Sequence, residues 1–281
     1  MTHWKIGGET YDLSRRGWIM GVLNVTPDSF SDGGRFFDCG KAVAHARNMI
    51  AEGADIIDIG GESTRPGAGT IDAAEEKRRV IPVIEQLARE AKKLISIDTS
   101  KMAVAEAALD AGASIVNDVT GGRADAAMWP MVAKRSCAFI VMHIQGTPRT
   151  MQVAPHYDDV VAEVGEFFRQ QYACAIKLNI DPMTLAFDPG IGFGKTPAHN
   201  LALLKNLARL RVDDQPIVAG VSRKSFLGKI AGANGAGADR SIPTLAFTSL
   251  LRTTGADVLR VHDVKENVEA LRVADALLTT P

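Results

Sequence analysis

Two sets of side chains in this sequence have the chemistry of a binding site. One is acidic and amide-bearing: Asp98 in "SIDTSK", Asn117 in "IVNDVTGG" and Asp188 in "DPGIGFGKT". The other is basic and hydroxylic: Arg223, Lys224 and Ser225 in "SRKSFLG", then Arg260 and His262 in "RVHDV". A carboxylate grips an amino-pyrimidine edge through two parallel hydrogen bonds, as it grips a guanidinium. Pterins and guanines carry that edge, and a cluster of cations suits an anionic group such as phosphate. The two sets together therefore call for a ligand with a donor-rich planar end and an anionic tail.

The glycines of "DPGIGFGKT" do not make a nucleotide loop, because only three residues lie between Gly190 and the Gly194-Lys195 pair, where a P-loop has four between. They let the backbone pass close to a flat ligand beside Asp188. Metal hydrolysis finds no HxH pair and no HExxH motif, and His143 and His262 lie on separate segments.

Each of these residues closes a short apolar run. Runs at 18–23, 94–97, 137–142, 185–187 and 216–221 are apolar on both faces, as parallel strands covered on both sides are. Three more strands come from a recurring pattern, "EGADIIDIGGE", "DAGASIVNDVTGG" and "TTGADVLRVHDV": a glycine ending a helix (Gly53, Gly112, Gly255), an alanine, then a β-branched strand. Between the runs lie helical stripes such as Val43, Ala46 and Ile50, or Val161, Val164, Phe168, Tyr172 and Ala175. About eight such units predict an α/β fold, a (β/α)8 barrel, with a doubly wound open sheet as the alternative.

In a barrel the catalytic groups lie at the C-terminal strand ends. Those positions are Asn24, Asp58 with Glu62, Asp98, Asn117, His143, Asp188, Ser222 to Ser225, and Arg260 with His262. Arg260 and His262 are alternate residues and so share a side of their strand. Ahead of the first barrel strand, "WKIGGETYDLS" alternates around Gly7-Gly8, which predicts an N-terminal hairpin within residues 1–14 plugging the barrel bottom. After that strand comes "NVTPDSFSDGG", too rich in turn formers to continue it.

At 281 residues the chain is close to the roughly 250 that one barrel takes, and no linker or composition break divides it, so residues 1–281 are expected to form one domain. Lys and Arg number 32 against 33 Asp and Glu, a net charge of −1 that offers no field for a nucleic acid or a membrane surface. The start lacks a leader pattern and no apolar run reaches the ~18 residues of a membrane span, so a cytoplasmic protein is expected. Cys39, Cys137 and Cys174 are distant from one another and read as bystander thiols.

These blocks, in order from "GVLNVTPDSFSDGG" through "DIIDIGGESTRPGA", "SIDTSK", "IVNDVTGG", "VMHIQGTPRTMQ", "DPGIGFGKT" and "SRKSFLG" to "RVHDV", resemble the bacterial dihydropteroate synthases over nearly the whole chain. The resemblance implies a TIM barrel, a homodimer, and the joining of 7,8-dihydropterin-6-ylmethyl diphosphate to 4-aminobenzoate with release of pyrophosphate. It implies that Asp98, Asn117, Met142, Asp188, Phe193, Gly220, Lys224 and Arg260 line the pterin, Arg260 stacking along its ring. Asn24 would bind Mg2+ with the diphosphate, which Thr64, Arg260 and His262 would anchor. Phe30, Thr64, Arg65, Pro66, Phe193, Lys224 and Ser225 would form the aminobenzoate and sulfonamide pocket under two closing loops. Asp32 would join Asp98, Lys224 and Arg260 as a catalytic group, steadying a methylene cation or the incoming amine.

No motif residue is replaced, so a sulfonamide-sensitive enzyme is expected. A methyltetrahydrofolate:corrinoid methyltransferase would share the Asp98, Asn117 and Asp188 contacts but has no use for a diphosphate corner. A non-catalytic pterin-binding protein would not need both closing loops.

Overall fold

The three glycine-alanine repeats fold alike and set the repeating unit. In the computed structural model Gly53, Gly112 and Gly255 take φ of 108°, 114° and 114°, the left-handed conformation that glycine adopts without strain. Each glycine N–H bonds back three residues, to Ile50, Leu109 or Arg252, and the following alanine N–H bonds back five, to Met49, Ala108 or Leu251. This is the Schellman ending of a helix. The next residue then bonds into the neighbouring strand, Asp55 N–H to Ile19, Ser114 N–H to Ile95 and Asp257 N–H to Ile217. Helix end, turn and strand start are thus fixed within five residues.

The structure describes residues 1–26, 39–64, 69–90, 93–232 and 239–280. A hairpin comes first, β1 (His3–Ile6) and β2 (Glu9–Asp12), antiparallel around Gly7 and Gly8. Eight parallel strands follow: β3 (Trp18–Asn24), β4 (Ile56–Gly60), β5 (Leu94–Asp98), β6 (Ile115–Asp118), β7 (Ala138–Met142), β8 (Leu185–Asp188), β9 (Val218–Ala219) and β10 (Val258–Val261). They pair in chain order from β3 to β8, while β10 lies between β3 and β9. A parallel bridge from Phe187 to Ile217 joins β8 to the segment leading into β9 and closes the ring. The strand expected over 216–221 is reduced to two residues. Pro216 has no N–H to give, and only its carbonyl takes part, accepting from Phe187 N–H at 2.9 Å.

The described helices are α1 (Cys39–Glu52), α2 (Ala73–Glu90), α3 (Met102–Asp110), α4 (Met128–Arg135), α5 (Val160–Lys177), α6 (Pro197–Lys205), α7 (Leu207–Leu210), α8 (Ser225–Ile230), α9 (Ser241–Thr254) and α10 (Val264–Thr279). None is long and apolar enough to cross a membrane.

Alternation divides the core. Outward residues such as Ile57, Ile97, Phe139, Phe187 and Leu259 pack under the helices with Val43, Ala46, Val164 and Phe168. Inward residues Trp18, Met20, Ile56, Ile115, Ile140, Ala186 and Val258, all near strand starts, pack with Trp4 and Ile6 of the hairpin. The Trp4 indole N–H donates to Thr184 O at 3.0 Å. The hairpin is the expected plug, and the inward positions left at the other end are polar.

Candidate active site

Continuing the inward alternation from that core leads to Asn24, Asp58, Ser96, Asp98, Asn117, Met142, Asp188, Gly220, Arg260 and His262. The mouth of the barrel is lined by what its strands put there at period two. In register, Asn24 lies beside Gly60, Gly60 beside Asp98, and Asp98 beside Asn117, so the first four strands end in one tier. Asp58 and Ser96 are partners one tier deeper.

Arg260 ties the two tiers together. Its Nε donates to Asp58 Oδ2 at 2.6 Å, and its terminal nitrogen reaches Asp98 Oδ2 at 2.7 Å. Asn117 Nδ2 donates to the same Asp58 oxygen at 3.2 Å. Burial and the nearby Asp58 charge lift Asp98 to about 7, although Arg260 pulls the other way. Burial also lifts Asp188, against the Gly190 N–H that bonds its Oδ1 at 2.7 Å and against the Lys224 charge. Burial opposes charge on Arg260, yet Asp58 and Asp98 reverse this and keep it firmly protonated. The Lys224 ammonium is lowered to about 8 by burial, with Asp188 opposing.

The loop after β8 supplies a flat wall. Gly190, Gly192 and Gly194 take φ of 64°, 83° and 65°. A Cβ on Gly190 would lie 1.8 Å from His143 O and one on Gly194 2.4 Å from Gln145 O, so the glycines admit the loop after β7. Gly190 and Gly194 thus allow close approach to the protein's own backbone, and Gly192 faces the Lys224 side chain at 3.3 Å. Phe193 packs on Val119, Met142, Ile144 and Met151. Lys224 Nζ donates to Ile191 O and lies 4.6 Å from the centre of the Phe193 ring. Lys224 itself sits at the start of α8, after Arg223 at φ 59°.

Among the expected residues, Asp98, Asn117, Met142, Asp188, Gly220, Lys224 and Arg260 meet at this mouth, with Phe193 in the wall beside Lys224. A Cβ on Gly220 would touch the Arg260 side chain at 3.7 Å, so glycine leaves that flank low. Asn24 and Thr64 are half-buried at and beyond the ends of β3 and β4, and His262 Nδ1 lies 3.1 Å from Ser222 Oγ. Ser225 is exposed at the start of α8. Phe30, Asp32, Arg65 and Pro66 lie outside the described residues.

Two strand-end residues turn elsewhere. His143 follows the inward Met142 and so points outward, stacking edge-on to Phe167 with Lys195 Nζ 3.0 Å from its Nδ1. Burial holds Lys195 down at about 7 and, with the Lys195 charge, His143 at about 2. Glu62 accepts from Lys101 at 2.5 Å, and Lys101 also binds the buried Glu76. Sequence reasoning named Asp58 only as a strand end and passed over Ser96, although inward alternation from Ile56 and Leu94 reaches both.

No group of three His, Cys, Asp or Glu side chains among the described residues could hold a metal. Asn24 offers one neutral, hard oxygen. That suits Mg2+, which keeps several waters and takes its remaining ligands from phosphate oxygens.

Residues 20–262 match the family described as pterin binding enzyme. A dihydropteroate synthase of Escherichia coli (strain K12) is 45% identical over 272 residues, 97% of this chain and 95% of that protein. The solved Yersinia pestis dihydropteroate synthase with a sulfonamide drug complex superposes with a TM-score of 0.91 at 41% identity, covering 99% of this chain and 100% of that one. The Xanthomonas albilineans dihydropteroate synthase in complex with 7,8-dihydropteroate gives 0.88 at 40% identity, covering 99% and 100%.

Proposed function

The chain belongs to the pterin-binding enzymes and, within them, to the dihydropteroate synthases, and from that premise we propose how its mouth carries out the reaction. The enzyme is a transferase that joins 7,8-dihydropterin-6-ylmethyl diphosphate to 4-aminobenzoate, forming 7,8-dihydropteroate and pyrophosphate, and it is a sulfonamide target. The observation that carries this is the meeting of Asp98, Asn117 and Asp188 with Arg260 and Lys224 in one mouth. The corrinoid methyltransferase and the pterin carrier give way to the synthase, whose relatives match over the full barrel and whose basic corner has a use here.

Asp188 and Asp98 accept hydrogen bonds from the donor-rich pyrimidine edge, Asn117 adds its amide, and Met142 and Gly220 bound the ring. Arg260 lies along the ring plane, and Lys224 completes the contacts. Thr64, Arg260 and His262 hold the diphosphate. Mg2+ held by Asn24 would neutralise charge on the departing pyrophosphate. Preorganised cations at the leaving group favour C–O cleavage to a methylene cation delocalised into the pterin. The aminobenzoate nitrogen then attacks as a neutral amine, and the anilinium so formed is acidic enough to pass its proton to pyrophosphate or water, so no strong base is called for. Phe193, Lys224 and Ser225, with Phe30, Thr64, Arg65 and Pro66, form its pocket, and Asp32 steadies the cation or the amine.

The protein acts as a homodimer of one-domain chains. Ile242 and Leu250 on α9 and Val273 and Leu277 on α10 are exposed apolar residues on neighbouring helices, which supports that face as the contact.

Pyrophosphate release with dihydropterin diphosphate and Mg2+, run with and without 4-aminobenzoate, tests the reading. Release matched by an equal amount of dihydropteroate is expected, with a sulfonamide competing against aminobenzoate. Pterin binding without release would move the function to the methyltransferase or the carrier.

A further inference from the structure

Asp58 has an unequal pair of oxygens. Oδ2 accepts from Arg260 Nε at 2.6 Å and from Asn117 Nδ2 at 3.2 Å and lies 2.6 Å from the Arg260 terminal nitrogen, whereas the buried Oδ1 has no hydrogen-bond partner among the described residues. The side chain is fully buried, one tier below Asp98, and its register partner Ser96 is also buried with an unpartnered Oγ. A buried carboxylate in that state is held in place by what it does for its donors. Arg260 and Asn117 both bond its Oδ2.

We propose that Asp58 is a positioning residue of the pterin pocket, orienting Arg260 and Asn117 together from beneath. The inference rests on the synthase reading. Arg260 bridges two carboxylates, and only the upper one, Asp98, faces the ligand. When pterin donors occupy Asp98, the Nε bond to Asp58 keeps the guanidinium plane along the ring instead of releasing it to the diphosphate alone. The Asn117 bond to the same oxygen turns its Nδ2 downward, which leaves its Oδ1 facing the mouth as an acceptor for a pterin N–H. One oxygen thereby sets the orientation of two ligand-binding groups.

The Asp58→Asn variant keeps the size and removes the charge. Calorimetric titration with dihydropterin diphosphate and Mg2+ is expected to give a Kd raised tenfold or more, with the KM for aminobenzoate within twofold of wild type. Asp98 is faced by Arg260 from β10, by Asp58 from β4, and at longer range by Glu76 of α2 and Asp118 of β6. Asp58 raises the Asp98 pKa and Arg260 lowers it, so the acid limb of pterin binding moves to lower pH in the variant. A general loosening of the barrel would weaken both substrates and leave that limb in place, which would overturn the proposal, as would an unchanged Kd.

Should the variant fail to fold, wild-type protein labelled with 15N-arginine decides. The Arg260 Nε–H is expected to stay protected from exchange in the free and pterin-bound states, and loss of protection on binding overturns the proposal. Wild-type protein that binds no pterin and releases no pyrophosphate overturns the synthase reading and the proposal with it.

Discussion

At the floor of the barrel Arg252 donates to Asp275 Oδ1 at 2.7 Å, to Ala256 O, Leu13 O and Ser14 O at 3.2 Å, and pairs with Asp257 at 3.6 Å. Arg211 adds Asp257 Oδ2 at 2.7 Å and the carbonyls of Gln215 and Gly255 at 2.8 and 2.9 Å. The floor acids cap main-chain N–H groups as well: Asp275 takes Gly17, Asp257 takes Ile217, and Asp55 takes Ile19. At the mouth Asp58 Oδ1 and Ser96 Oγ have no hydrogen-bond partner among the described residues. Burial raises Asp257 at the floor just as it raises Asp98 at the mouth, so a displaced pKa does not distinguish the two ends. Satisfaction does. The floor spends its charges on its own backbone and holds the fold; at the mouth Asp58 holds Arg260 and Asn117 from beneath, and Asp98 above it keeps capacity for a ligand.

The largest effect should come from breaking the floor. Arg252→Met leaves Asp275 and part of Asp257 uncompensated, which for a buried pair costs about 3–5 kcal/mol of stability. Chemical denaturation should show that loss, while turnover per folded molecule stays at the wild-type value. A comparable loss of turnover would break the comparison.

Next comes the mouth. Asp98→Asn removes two charge-assisted hydrogen bonds to the pterin at about 1.5 kcal/mol each, so kcat/KM should fall roughly 10²-fold. Stability should move the other way with pH. The folded pKa of about 7 lies above the unfolded value, so the folded state holds the extra proton between about 4 and 7, and the stabilising contribution of Asp98 is lost as pH rises through that window. Relative to wild type, the variant should therefore be more stable at pH 8 than at pH 5.5, as read by denaturation midpoints. No such difference would mean that Asp98 is as well satisfied as the floor acids.

The mouth is largely legible in the sequence; the floor is not. Strand ends put Asp98, Asn117, Asp188 and Arg260 at one mouth, period two put Arg260 and His262 on one side of their strand, and the Gly-Ala punctuation located three helix ends to the residue. What alternation cannot supply is which partners a side chain finds across the chain. Asp58 and Arg260 are 202 residues apart, and Leu13 and Arg252 are 239, so Asp58 reads in the sequence only as a strand end and Arg252 gives no signal of its own. His143 was misassigned by one register step, since it follows the inward Met142. Lys195, read only against a phosphate loop, is a buried brace between two mouth loops.

The smallest effect is the sharpest test of how far floor and mouth are independent. Trp4 is fully buried, packs with Trp18 at 6.5 Å between ring centres, and spends its indole N–H on Thr184 O, just before β8 begins. Strand β8 ends at the mouth on Asp188, so a disturbance of its first residue has a direct covalent route to the ligand. Trp4→Phe keeps most of the packing but leaves the Thr184 carbonyl unpaired, a loss of about 1–3 kcal/mol. If the ends are separate, thermal denaturation registers that loss while the pterin Kd is unchanged, because the tight ladder from Phe139 to Leu185 and from Met142 to Asp188 absorbs the shift. A Kd that rises with the fall in Tm would mean that β8 transmits the plug's packing to Asp188.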